Sequence, residues 1–104
     1  MESKYCVTCS EGTAKIELVG RLDATNAPAL QDELKKLVGQ NVSNLVFYAK
    51  DLEYISSAGL RAIIFAKQKI GVDVQVYLIG AQSTVINVVK MSGLDTFMTI
   101  QDNL

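Results

Sequence analysis

The sequence predicts an α/β fold with a mixed sheet of four to five strands in the order β-β-α-β-α-β-α-β. Two β-prone segments around a turn open the chain, and three later stretches carry apolar residues at helical spacing with short apolar runs between them. Connections of this length between the later strands must be crossover helices, so those strands run parallel and only the opening pair is antiparallel. With 104 residues, 49% of them hydrophobic, we expect one domain, residues 1–104, around one core.

The first elements are a hairpin and a helix. Alternating and β-branched residues at 4–10 and 14–19 flank a turn, and Gly20 is expected to end the second strand. Residues 23–26 supply capping candidates, and Pro28 suits the first turn of a helix because its missing N–H would be unpaired there. The helical spacing then predicts a helix over 27–38, with Gly39 as its end.

The middle of the chain predicts a central strand and a second helix. The apolar run at 45–48 is typical of a strand covered on both faces. Residues 50–55 are expected to form a loop, and a helix is expected over 57–70, closed by Gly71.

The last third repeats this alternation. A strand is predicted at 74–79, and a helix at 83–91 that Ser92 and Gly93 end. Residues 96–100 predict a short edge strand.

Charge and composition exclude several classes of function. The net charge is −1 and the pI is near 5.3, whereas domains that bind phosphate backbones carry a basic excess, so no nucleic-acid partner is expected. The chain has no histidine, which removes the commonest general base and metal ligand. No metal or cofactor is expected. No signal-peptide core or apolar run of about 18 residues occurs, which favours a cytoplasmic protein without direct membrane insertion.

Cys6 and Cys9 form a single C-x-x-C pair. A redox motif of this kind normally begins a helix, where the helix dipole lowers the thiol pKa, but here it falls in a β-prone run. We therefore interpret both cysteines as strand residues, with redox or metal use as the alternative.

The start of the second helix carries the strongest functional signal, because Ser56, Ser57 and Gly59 stand together there. One interpretation is a serine that caps the helix, with the glycine keeping the approach uncrowded. The other is a phosphorylation site, since the positive end of the helix dipole favours the charge of a phosphoserine. Arg61 follows Ser57 by four residues and is placed to pair with a phosphate. Phe65 continues the same face, either as a partner anchor or packed against a neighbouring helix.

Three segments carry a resemblance to a known family. Residues 55–60 (ISSAGL) after the central strand, 20–23 (GRLD) before the first helix, and 91–94 (MSGL) near the end resemble the signatures of STAS domains, the family of bacterial anti-sigma factor antagonists. The three follow one another in the family's order and spacing over nearly the whole chain.

The resemblance implies a phosphorylation switch. In the family's D-S-(S or T)-G-L motif, the first serine is phosphorylated by an anti-sigma factor that is itself a serine kinase, and that serine matches Ser57. Ser56 stands where the family has aspartate, and is the alternative acceptor. Tyr48, where many relatives have Asp or Asn, is interpreted as a packed strand aromatic. Asp23 matches an acidic residue of the partner surface. The partner-binding residues expected are Asp23, Ser56, Ala58, Gly59, Arg61 and Phe65.

Two functions from different classes follow. In the first, the chain is a monomeric, cytoplasmic binding module that sequesters an anti-sigma factor with serine kinase activity, and so releases a sigma factor. The alternative is a STAS domain without a switch that regulates or assembles a membrane transporter complex. Catalysis by this chain is not expected, because Ser57 has no histidine partner, Asp51 and Glu53 precede the helix with no orienting group, and nucleotide-binding glycine motifs are absent.

Overall fold

A computed structural model describes the backbone of residues 4–37, 39, 41–71 and 73–102, and the side chains of those from residue 11 onward. Its strands are β1 (Lys4–Ser10), β2 (Thr13–Leu22), β3 (Asn44–Ile55), β4 (Gln75–Ile79) and β5 (Thr99–Gln101). Its helices are α1 (Ala27–Lys35), α2 (Ser57–Ile70), α3 (Ser83–Met91) and a short 3-10 helix (Leu94–Thr96).

In the described part of the chain the strands form one five-stranded sheet in the order β1-β2-β3-β4-β5. The β1–β2 pair is antiparallel, and every later pair is parallel. The predicted α/β class, mixed sheet and element order are therefore confirmed.

One buried cluster joins the sheet to all three helices. Its members come from the sheet and from each helix, and they include Ile16, Leu18, Leu30, Leu34, Phe47, Leu60, Ile63, Leu78, Val85 and Val89. In β3, Leu45, Val46 and Phe47 are all buried, as expected for a strand covered on both faces. The outer face of β2 differs, because Lys15, Glu17 and Arg21 are exposed there.

The expected loop over 50–55 is wrong, because β3 continues through it to Ile55. Two register shifts against β2 each insert an extra residue into β3. Beyond Phe47 the buried residues of β3 are Ala49, Leu52 and Ile55, a spacing of three. Bulges thus remove the two-residue period by which a strand is recognised.

The expected end of the second strand at Gly20 is also wrong, since β2 runs on to Leu22. Gly20 has φ +84° and lies at the second register shift. Because glycine tolerates positive φ, it accommodates the irregularity within the strand instead of ending it.

The first helix begins at Ala27 as predicted but ends earlier, at Lys35. The N–H of the following residue, Lys36, contacts the carbonyl oxygens of Glu33 and Leu34, which tightens the last turn. Val38, the predicted last residue, lies outside the described residues.

The remaining elements agree closely with expectation. The second and third helices have the predicted bounds, and Gly71 and Ser92 are their C-caps. The last strand exists, but it is displaced to Thr99–Gln101 because the 3-10 helix occupies the start of the predicted range. Cys6 and Cys9 lie in β1, in agreement with the strand interpretation, although their side chains are outside the described part of the structure.

Candidate functional site

The candidate site lies where β2 and β3 end and α1 and α2 begin. Leu22 and Ile55, the last residues of the two strands, are paired across the sheet. One residue further on, the backbone N–H of Ser56 donates to the carbonyl oxygen of Leu22 at 2.8 Å. Since both strands run in the same direction, Asp23 and the two serines emerge at the same edge of the sheet.

The two serines have different environments. Ser56 is the N-cap of α2, and its hydroxyl oxygen accepts a hydrogen bond from the Gly59 N–H at 3.3 Å. Ser56 is half-buried, whereas Ser57, the first residue of the helix, is exposed. The capping interpretation therefore holds for Ser56, and Ser57 has the accessible hydroxyl of the pair.

We expect Ser56→Ala to lower the free energy of unfolding by about 1 kcal/mol, because the Gly59 N–H then loses its capping partner. Ser57→Ala is the matched control and should change stability by less than about 0.5 kcal/mol, since Ser57 is exposed. Urea denaturation of the three proteins measures both changes. Equal stability of the two variants would contradict the assignment of the cap to Ser56.

Gly59 is needed for the close packing of α2 against the end of β2. A Cβ atom at this position would lie 2.8 Å from the Leu22 carbonyl oxygen, 2.8 Å from Leu22 Cγ and 3.0 Å from Ile55 Cγ1. The predicted role of Gly59, to leave the approach to this turn uncrowded, is confirmed. By holding α2 close to β2, it fixes the position of Ser57 relative to the sheet.

Side-chain hydrogen bonds close the turn between β2 and α1. Asn26 Oδ1 accepts from the Asp23 N–H at 2.8 Å, and Asn26 Nδ2 donates to the Arg21 carbonyl oxygen at 2.6 Å. Asp23 Oδ1 in turn accepts from the Thr25 N–H at 3.0 Å. Asn26 occupies the N-cap of α1 but makes no capping bond, because its side chain is engaged with the turn instead. This turn positions Asp23.

Arg21 and Tyr54 belong to the same edge and were not expected from the sequence. The Arg21 guanidinium carbon lies 4.5 Å from the centre of the Tyr54 ring, and its Nε is 3.7 Å from a carboxylate oxygen of Asp23. Tyr54 is 40% exposed, so this aromatic surface is accessible beside the turn. The sequence analysis did not find Tyr54 because this residue falls in the bulged part of β3, which was expected to be a loop.

Arg61 and Phe65 extend the surface along α2. Arg61 is exposed and its Nε donates to the Ser57 carbonyl oxygen at 3.4 Å, so the guanidinium reaches back to the first turn of its own helix. Phe65 is half-buried, so it is partly packed and partly accessible to a partner, and neither of the two alternatives is excluded. Its ring borders a groove of about 510 Å³ between α1 and α2, which Ala58 and Arg61 also line.

The other sequence candidates lie on β3. Tyr48 is half-buried on β3 and borders a separate cavity of about 230 Å³ with Glu17 and Lys50. Asp51 and Glu53 are exposed on β3. Among the described residues no group of three or more acidic, cysteine or histidine side chains could hold a metal ion. Over the same residues, no helix is both long and apolar enough to cross a bilayer.

Together the fold and the site define a small α/β domain whose distinctive surface is a serine-bearing helix start at the end of two parallel strands. The chain belongs to the STAS family, because the STAS domain model matches residues 5–104. The resemblance seen in the sequence is confirmed.

Relatives and solved structures agree with this membership. The anti-sigma-F factor antagonist RsfB of Mycobacterium tuberculosis is 28% identical over 97 residues, covering 89% of this chain and 80% of RsfB. An anti-sigma factor antagonist from Mycobacterium paratuberculosis has the same fold, with a TM-score of 0.85 at 21% identity over 99% of this chain and 88% of its own. Phosphorylated SpoIIAA from Bacillus has a TM-score of 0.72 at 19% identity, over 93% and 90%.

Proposed function

We propose that this chain is an anti-sigma factor antagonist whose binding to an anti-sigma factor is switched off by phosphorylation of Ser57. The first half of the proposal is supported by the name of the relative RsfB and by membership of the STAS family. The observation that carries the second half is the exposed Ser57 hydroxyl at the first position of α2, beside a Ser56 hydroxyl that is occupied as a cap.

The surroundings of Ser57 favour a phosphate. At the start of a helix the first backbone N–H groups have no backbone partner within the helix and the dipole is positive, so a phosphoserine charge of about −1.5 to −2 is stabilised there. Arg61 already donates to the carbonyl oxygen of Ser57, so its guanidinium is placed to pair with a phosphate on the Ser57 hydroxyl. The modification would therefore change the charge of the surface while leaving the fold intact.

Ser56 is the poorer acceptor of the two. Its phosphorylation would require the hydroxyl to leave the Gly59 N–H and a half-buried position. That exchange costs about the 1 kcal/mol of a cap before any chemistry begins. We therefore assign the switch to Ser57 and the positioning of the helix start to Ser56.

The partner that this proposal requires is an anti-sigma factor with serine kinase activity. This chain contributes the acceptor hydroxyl, and ATP binding and phosphoryl transfer belong to the partner. We propose that the docking surface comprises Asp23, the helix start from Ser56 to Gly59, and the outer face of α2 at Arg61 and Phe65. We further propose that the chain acts in the cytoplasm of a bacterium as one monomeric STAS domain over residues 1–104.

Affinity capture from the native cytoplasm tests the proposal with three baits: wild type, Ser57→Asp and Ser83→Asp. Ser83 is the matched control, because it is exposed at the first position of α3 and receives the same charge. We expect wild type and Ser83→Asp to retain an ATP-binding anti-sigma factor, and Ser57→Asp to retain at least about tenfold less of it. Mass spectrometry identifies and quantifies the bound proteins.

Two results would contradict the proposal. If the three baits retain the anti-sigma factor equally, Ser57 is not a switch. If they instead retain the same transporter subunit and no anti-sigma factor, the chain is a STAS domain of a membrane complex.

A further inference from the structure

The groove between α1 and α2 has an apolar floor. Its volume is about 510 Å³, and small or apolar side chains from both helices and the preceding turn line it. They are Ala24, Ala27, Pro28, Ala58, Ile64 and Phe65. A floor of this kind accommodates apolar side chains spaced along one face of a helix.

The rim of the groove along α2 is basic. The charged residues of α2 are Arg61, Lys67 and Lys69, all positive in a chain whose net charge is −1. Lys67 lies outside the groove, where its ammonium donates to the Val74 carbonyl oxygen at 2.6 Å. Arg61 lines the groove and is exposed. The amino groups of Lys69 and of Lys35 on α1 each lie 5.6 Å from the centre of the Phe65 ring. Arg61 and Lys69 therefore place positive charge on the α2 side of the groove, beside Phe65.

The nearby carboxylates compensate positive charge on α1, including that of Lys35, but none of them lines the groove. Asp32 and Glu33 are paired along α1 with Lys35 and Lys36, at 3.8 and 3.2 Å. Asp23 is paired with Arg21 beyond the groove. Among the described residues that line the groove the charged side chain is Arg61, and the others are neutral.

We infer that this groove binds an acidic amphipathic helix, which under the proposed function belongs to the anti-sigma factor. Apolar side chains of that helix would fill the floor over Phe65 and Ile64. Its carboxylates would pair with Arg61 and Lys69 on the rim. Complementary charge selects an acidic partner segment over a basic one, because like charges brought together at an interface are strongly unfavourable.

The groove also explains how phosphorylation of Ser57 would weaken binding of the partner helix. Ala58 lines the groove next to Ser57, and Arg61 bonds to the backbone of Ser57. A phosphate there adds negative charge at one end of the groove and engages Arg61, which the acidic helix would otherwise contact. Phosphorylation therefore repels the helix and removes a binding group at the same time.

The test uses the purified chain with two synthetic 14-residue peptides, so that no partner needs to be known. Both peptides carry leucine at positions spaced by three and four on an alanine background. One has glutamate at the flanking positions and the other has lysine at the same positions. We expect the glutamate peptide, at concentrations up to about 1 mM, to shift the amide NMR signals of Ala27, Gln31, Ala58, Phe65 and Gln68.

Charge reversal on the rim provides the matched comparison. The double variant Arg61→Glu, Lys69→Glu should weaken binding of the glutamate peptide at least about tenfold. The control Lys15→Glu, Lys90→Glu reverses two exposed charges on β2 and α3, and should change the affinity less than about twofold. Stoichiometric phosphoserine at position 57 should also weaken binding at least about tenfold.

The inference is overturned if the glutamate peptide shifts no groove signals, if the lysine peptide binds as tightly, or if the rim variant and its control behave alike. The capture experiment is separate from these outcomes. A groove that binds the glutamate peptide in a chain whose Ser57→Asp form still retains the anti-sigma factor would support the groove and refute the switch. Loss of the anti-sigma factor from Ser57→Asp without peptide binding would refute the groove alone.

Discussion

Replacement of Gly59 by alanine is expected to lower the free energy of unfolding by about 2 kcal/mol. A methyl group at this position would meet Leu22 Cγ and the Leu22 carbonyl oxygen at 2.8 Å each, so the start of α2 and the end of β2 must separate. Overpacking of this kind costs about 1–3 kcal/mol or more, and it outweighs the gain of about 1 kcal/mol that alanine brings to a helix. In a domain of this size, the melting temperature should fall by roughly 8–16 °C.

Gly71→Ala is the matched control for this substitution. Gly71 has extended backbone at φ 161°, and an added Cβ would meet Val74 Cγ2 at an ordinary 3.6 Å. We expect its stability to differ from wild type by less than about 1 kcal/mol. Thermal and urea unfolding compare the three proteins. A Gly59→Ala protein as stable as Gly71→Ala would show that α2 does not need its close approach to β2.

Most of the element order could be predicted because the helices and short strands obey simple periods. The apolar spacing of α2 and α3 gave both of their bounds, and the unbroken run at 45–48 marked the buried centre of β3. These patterns depend only on which face of an element is buried, and the spacing of apolar residues along the sequence shows that face.

The irregular part of the sheet could not be predicted in the same way. Two extra residues in β3 change the spacing of its buried positions from two to three, and residues 50–55 were therefore predicted to be a loop. Gly20 was likewise predicted to end the second strand, whereas its positive φ accommodates a register shift inside β2. A bulge depends on the partner strand, and the partner is unknown when only the sequence is available.

The sequence predicted the start of α2 at the two serines, but not which of them caps the helix. The sequence placed Ser56 and Ser57 at a helix start, yet the choice of which hydroxyl caps and which is exposed depends on the exact first residue of α2. The groove beside Phe65 depends on how α1 packs against α2, which no local pattern encodes. The contact of Arg21 with Tyr54 likewise joins two strands through the sheet.

Stoichiometric phosphorylation of Ser57 is expected to weaken binding of the purified anti-sigma factor by at least about 100-fold, or roughly 2.7 kcal/mol. The reason is that a doubly charged group would be placed within the proposed docking surface, where it must lose water, engages Arg61 and faces the carboxylates of the acidic helix. Genetic incorporation of phosphoserine at position 57, followed by calorimetric titration, measures the change. Phosphoserine at position 83, which is also exposed at the first position of its helix, should alter the affinity less than about threefold.

A true switch must weaken binding without unfolding the domain. We expect the phosphorylated protein to melt within about 3 °C of the unmodified one, because the exposed first turn of α2 favours added negative charge. The salt dependence then separates two causes of the weakened binding: repulsion between distant charges, and a phosphate that lies within the interface. Raising the ionic strength from 0.1 to 1 M shortens the screening length from about 10 to 3 Å and would abolish a loss due to distant repulsion. Since Ser57 adjoins the groove, the loss should instead largely persist at 1 M salt, and its disappearance would place the phosphate outside the interface.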